Sequence, residues 1–76
     1  MEELVSFIAK SLVDQPEAVK VTSSQDEECI TVELTVAPDD LGKVIGKQGQ
    51  TAKAMRSLLS AAAGKLEKRS RLEILE

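Results

Sequence analysis

Apolar residues recur along this chain with two different periods, and the change between them marks out its elements. Leu4, Val5, Phe7, Ile8 and Leu12 gather on one side of a helical wheel, opposite Glu2, Glu3, Ser6, Lys10 and Asp14. This spacing predicts an amphipathic first helix. It must close before Pro16, since the residue ahead of a proline is pushed out of the helical region. The period then falls to two. Val19 and Val21 alternate with Lys20 and Thr22 as a short strand, and Ser23 to Glu28 reads as a polar turn or loop. Ile30, Val32, Leu34 and Val36 alternate with Thr31, Glu33, Thr35 and Ala37, which predicts a strand with one apolar face.

Helical spacing returns in the second half. Pro38-Asp39-Asp40 reads as a helix start whose carboxylates cap free amides. A short helix from Asp40 to about Ile45 is stopped by Gly46. A longer helix runs from about Gln50 to Ala63, with Ala52, Met55, Leu59, Ala62 and Leu66 as its core stripe. Gly64 ends it, the basic loop Lys65 to Arg69 follows, and Leu72 and Ile74 alternate with Arg71 and Glu73 in a closing strand. The predicted order is helix, strand, strand, helix, helix, strand, an α+β domain covering residues 1–76 with a small core. Ala54, Leu58 and Ala61 form a second apolar stripe on the long helix, offset by roughly 60–120° from the first at about 100° per residue. That stripe predicts self-association, antiparallel across a twofold axis where each Leu58 meets its symmetry mate. The alternative is one wide core stripe partly covered by the first helix.

Net charge is −3, which taken alone argues against a nucleic-acid partner. The distribution of charge argues the opposite. Residues 1–41 hold two basic against ten acidic side chains, whereas residues 42–71 hold Lys43, Lys47, Lys53, Arg56, Lys65, Lys68, Arg69 and Arg71 against Glu67 alone. A polyanion responds to the local field of such a patch, not to the sum over the molecule. Phe7 is the one aromatic residue, so stacking is not the main recognition device. Cys29 is the one cysteine and there is no histidine, which leaves no internal disulfide and argues against a metal site. Cys29 fits a half-buried strand start. No acid, base and nucleophile converge, so the expectation is a non-enzyme without a cofactor. The acidic start lacks a signal-peptide n-region and no run approaches the roughly 20 apolar residues of a membrane span, which predicts the cytoplasm.

The candidate chemistry lies in Leu41-Gly-Lys-Val-Ile-Gly-Lys-Gln-Gly-Gln50. Gly46 and Gly49 bracket Lys47 and Gln48 and permit a tight turn and close backbone approach. Backbone amides in such a turn, next to a helix start, favour an anion. A nucleotide-binding P-loop fails on spacing, because Gly42 and Gly46 are separated by three residues and Gln48 stands at the hydroxyl position. A dinucleotide-binding Gly-x-Gly-x-x-Gly fails as well, lacking a glycine two residues before Gly46.

Set between two helices, Val44-Ile-Gly-Lys-Gln-Gly49 matches the signature of the KH domain, and nearly the whole chain resembles that family. The element order resembles its bacterial type II arrangement, in which a helix and strand precede a βααβ core. The resemblance implies a three-stranded sheet with helices on one face. The segments Gln15-Pro-Glu-Ala18 and Thr51-Ala-Lys-Ala-Met-Arg56 extend the likeness to the small stand-alone KH proteins of bacteria. Single-stranded RNA binding is implied, in a post-transcriptional regulator or RNA chaperone. So are self-association and a heteromer with a larger KH-containing RNA-binding protein linked to cell elongation. Gln50 departs from relatives that often carry a basic residue there.

On the residues themselves, the Gly46–Gly49 amides and Lys47 would grip phosphates while Gln48 offers donors and acceptors. Lys43, Lys53 and Arg56 would extend the positive track, and Ile45 would serve the core first and a groove floor second. The helical edge would face the second strand or the last. Lys53 and Arg56 also suit an ordinary solvated helix face. Lys65, Lys68, Arg69 and Arg71 read as loop charges able to lengthen the footprint. The rival reading is a protein-interaction adaptor with a vestigial cradle.

Overall fold

The alternation centred on Ile30, Val32 and Leu34 becomes β2 (Cys29–Thr35), the central strand in the computed structural model, which describes residues 2–75. Its inward side chains are buried while Cys29, Thr31, Glu33 and Thr35 between them stay half-exposed. A sheet covered on one side only produces this pattern. β1 (Lys20–Gln25) pairs with β2 antiparallel and β3 (Arg69–Leu75) pairs with it parallel, giving the order β1-β2-β3. The parallel pair requires a crossover, supplied by α2 (Leu41–Ile45) and α3 (Gln50–Gly64). With α1 (Glu2–Leu12), the element order is the predicted one. Val5 and Ala9 of α1, Val44 of α2, and Met55, Leu59 and Ala63 of α3 join Ile30, Val32, Leu34 and Leu72 in one core under the helices. Fully burying Leu34 or Leu59 contributes about 2 kcal/mol each.

Several expectations are corrected. Phe7, expected on the core side of α1, is 72% exposed, while Ala9 is buried completely. The small Ala9 lets the helix approach the sheet along a narrow row with Val5, and the wider Phe7 is turned out. Ser23, Ser24 and Gln25 belong to β1 instead of a loop, because pairing with Val32, Thr31 and Ile30 satisfies their backbone despite the polar side chains. On α3 the buried row is Ala52, Met55, Leu59 and Ala63, with Ala62 half-buried and Leu66 58% exposed. Gly64 is still helical. The turn closes at Glu67 (φ 58°), with the amide of Lys68 donating to Ala63 O at 3.0 Å, so Leu66 has already left the core row.

The β1–β2 turn is closed by Asp26, whose Oδ1 accepts from the amides of Glu28 (2.8 Å) and Cys29 (2.7 Å). Those amides, with Lys68 adding a smaller share, hold its carboxyl below the usual aspartate range. A depressed folded-state pKa contributes stability above the unfolded value, lost as pH falls through the folded one. Asp26→Ala should therefore unfold at a lower temperature than the parent at pH 7. The two melting curves should converge below about pH 3.8, the ordinary value for aspartate. A gap that persists in acid would rule out the carboxylate as its source.

Candidate nucleic-acid interface

A five-residue helix cannot hold its own position. α2 is anchored by Asp40, 1% exposed and the one charged residue buried among those described. Its two carboxylate oxygens accept from the amides of Asp14 (3.3 Å) and Gln15 (3.0 Å), which tie the chain leaving α1 to the start of α2. The expected cap of its own helix is absent: the Asp40 side chain makes no capping bond there. The turn Pro38–Asp40 already satisfies the Asp40 amide on Ala37 O at 2.8 Å, and the carboxylate is directed across to the exit of α1.

Lys43 forms an ion pair with Asp14 and lies 3.7 Å from the Asp40 carboxylate. The hydrogen bond to Asp14 raises its pKa, so the pair stabilises below the usual lysine range and is lost as pH rises through that raised value. Among the described residues, Lys43 is the one cation expected to face phosphate that already forms an ion pair within the fold. Ile45 is 36% exposed and lies outside the core cluster, contrary to the expectation that it serves the core first. Its side chain is available to a groove.

The loop itself is tightly specified. Gly46 closes α2 through its amide on Gly42 O (2.9 Å) and then adopts φ 77°, ψ 172°, a region open essentially to glycine alone. A Cβ at Gly46 would stand 2.2 Å from Thr51 Oγ1 and 2.9 Å from the Thr51 amide nitrogen, so the start of α3 packs directly under the turn. Sequence reasoning misses Thr51, for which closeness to Gly46 is the only available signal. Gln48 and Gly49 both take left-handed conformations, with φ 57° and 73°. The Gly49 amide donates back to Gly46 O at 3.1 Å and that of Gln50 to Lys47 O. Among the described residues, the amides of Lys47 and Gln48 carry no intramolecular hydrogen bond, and both side chains are exposed. Two free donors, a flexible cation and an amide side chain thus share one corner. Lys53 and Arg56 are exposed on one flank of α3, while Ala54, Leu58 and Ala61 are exposed on the other.

The remaining basic residues lie elsewhere. Lys65 follows the far end of α3, which at 15 residues is about 22 Å long. There Lys68 and Arg69 border a cleft with Glu27, Glu28 and Glu67, and Lys68 Nζ donates to Gln25 Oε1 at 3.0 Å. Acidic side chains of the β1–β2 turn therefore lie beside Lys68 and Arg69. Lys47, Lys53 and Arg56 are exposed and lie apart from that acidic cleft. Among the described residues, no helix is long and apolar enough to cross a membrane, and no group of three His, Cys, Asp or Glu is placed to hold a metal.

Comparison with known proteins agrees with this architecture. The family model described as "KhpA/KhpB, KH domain" matches residues 2–74. The chain is 53% identical over 76 residues to "RNA-binding protein KhpA" of Halalkalibacterium halodurans, covering all of both chains. It is 56% identical over 75 residues to the protein of that name in Clostridium perfringens, covering 99% of this chain and all of the relative. Identity to the Aquifex aeolicus protein of that name is 47% over 76 residues, covering all of this chain and 96% of the relative. No solved structure matches. The mixed three-stranded sheet, the helices on one face and the Gly46–Gly49 turn between α2 and α3 are those of a type II KH fold, a non-enzymatic kind, and the chain belongs to the KhpA/KhpB KH-domain family.

Proposed function

We propose that this protein binds single-stranded RNA by gripping the phosphate backbone at Gly46, Lys47, Gln48 and Gly49, with Ile45, Lys53 and Arg56 lining the adjoining groove. The observation that carries this reading is the pair of free amides at Lys47 and Gln48, beside the exposed cations Lys47, Lys53 and Arg56. The relatives' name supports it. Crossovers between parallel strands are almost always right-handed. Followed through α3 at about 100° per residue, that hand turns the Lys53–Arg56 flank outward over the unpaired edge of β3. Of the two strands the groove could face, the last is favoured. Without an aromatic platform, base preference is modest and phosphate contacts dominate. Lys43 joins the site only by exchanging Asp14 for a phosphate.

The protein acts in the cytoplasm as a post-transcriptional regulator or RNA chaperone. It works as a homodimer through Ala54, Leu58 and Ala61, and with a larger KH-containing RNA-binding partner in the control of cell elongation. The family description, which joins KhpA with KhpB, supports such a partner.

Lys47→Asp with Gln48→Asp tests the cradle. Both side chains are exposed and both glycines stay in place, so the fold should be kept. Affinity for a single-stranded RNA oligonucleotide should fall at least tenfold. The slope of log K against log salt should flatten by about 0.7 for each phosphate that is no longer neutralised. Unchanged binding would place the RNA elsewhere. Leu58→Arg tests the dimer: Leu58 is 50% exposed and lies outside the core cluster. The variant should keep its circular dichroism and sediment as a monomer; one that remains dimeric puts the interface on another surface.

A further inference from the structure

Lys43 stands one helical turn before Gly46, about 5 Å along the axis, within reach of a strand gripped at the turn. Its ammonium is held between two carboxylates, bonded to that of Asp14 and 3.7 Å from that of Asp40. The two acids are not equivalent. Asp40 is buried and accepts two amides, so its charge is met without Lys43. The Asp14 side chain is 78% exposed, and among the described residues Lys43 is its one hydrogen-bond partner. Asp14 is nevertheless firmly placed. Its own amide and that of Gln15 donate to the Asp40 side chain, the amide of Val13 closes α1 on Ala9 O (3.2 Å), and Pro16 follows. The backbone on both sides of this carboxylate is fixed against the start of α2, so it meets Lys43 before any ligand arrives.

We infer that Asp14 competes with RNA phosphate for Lys43 and thereby limits the affinity of the site. This rests on the RNA reading above and adds a negative determinant to it. A lysine ammonium is a point charge on a flexible stem, and it can change partner without moving the backbone. To be gripped by Lys43, a phosphate must displace Asp14. The freed carboxylate then stands beside the bound strand as a like charge. Both effects oppose binding, and neither blocks it. An exposed ion pair is weak. A strand already held at Lys47 also presents its neighbouring phosphates to Lys43 at high effective concentration. Asp40 keeps its two amides throughout, so the corner between α1 and α2 survives the exchange.

Titration of charge variants with a single-stranded RNA oligonucleotide tests the competition. Asp14→Asn removes the competing charge and keeps the amide that donates to Asp40, so its melting temperature should stay close to the parent's. Affinity should rise about two- to fivefold, the strength of an exposed ion pair. The slope of log K against log salt should steepen by up to about 0.7, for the one further phosphate neutralised. Asp39→Asn controls for net charge, since Asp39 is exposed at the same corner and forms no ion pair among the described residues. In a Lys43→Met background, Asp14→Asn should bring no more than Asp39→Asn does. A gain that Asp39→Asn reproduces, a gain that survives without Lys43, or no gain at all would each overturn the inference. Lys47→Asp with Gln48→Asp is titrated alongside. If that pair abolishes binding while Asp14→Asn changes nothing, the competition falls and the cradle stands. If it leaves binding intact, the cradle falls and the competition with it.

Discussion

Replacing Asp40 with alanine should lower the stability of this protein by about 3 kcal/mol, because two amides lose their acceptor in a buried place. A domain of this size should then melt roughly 12–24 °C lower. The carboxylate is 1% exposed and accepts from Asp14 N and Gln15 N with separate oxygens. Asp40→Asn should do little better, since one oxygen becomes an NH2 aimed at an amide that is itself a donor. Lys43→Met is the control. It removes the cation 3.7 Å away but no buried hydrogen bond, and its effect should be small, since Lys43 is 42% exposed. Urea or thermal unfolding of the three variants measures the difference. If Asp40→Asn is as stable as the parent, the tie between α1 and α2 is not what holds this corner together.

Gly46→Ala is expected to damage both fold and binding, and Gly49→Ala only slightly. The two glycines occupy matching places in the motif, and both have positive φ. Their surroundings differ. The new methyl at Gly46 would strike Thr51 at its Oγ1, Cβ and amide nitrogen, in a backbone region that side chains scarcely tolerate. We expect a loss of about 3 kcal/mol, and RNA affinity reduced at least tenfold in the fraction that folds. At Gly49 a methyl meets nothing within 4 Å, and the left-handed conformation costs about 1 kcal/mol. Thr51→Ala should not rescue Gly46→Ala, because the amide nitrogen of residue 51 stays 2.9 Å from the added carbon. Thermal melts and oligonucleotide titrations of the four proteins check the ranking. Equal losses at the two glycines would show that only turn flexibility matters.

Thr51 illustrates why part of this site was hidden. Its partner lies five residues away, but the contact depends on the ψ of 172° at Gly46, which residue identity does not reveal. Lys43 was legible as a cation and its engagement with Asp14 was not, because the two are 29 positions apart. Asp40 reads from the sequence as a local cap, the commonest use of an aspartate before a helix; the amides it accepts from belong to a segment 25 and 26 residues earlier.

What the residues determined by themselves was local. Period-two and helical spacing set the kind and order of all six major elements. Gly46, Lys47, Gln48 and Gly49 announced their turn, since glycines and a polar pair between two apolar runs favour it whatever surrounds them. The direction each face would point was decided by the tertiary structure. Phe7 and Ala9 are both apolar residues of one helix, and only docking on the sheet selected the smaller one for the core. Ser23 and Ser24 became strand because a partner strand was available to bond them. The run of basic residues from Lys43 to Arg71 was divided by folding, which sets Lys68 and Arg69 beside the acids of the β1–β2 turn and Lys47, Lys53 and Arg56 apart from them. Periodicity is a property of neighbouring residues, whereas burial and net field are sums over everything that folding brings close.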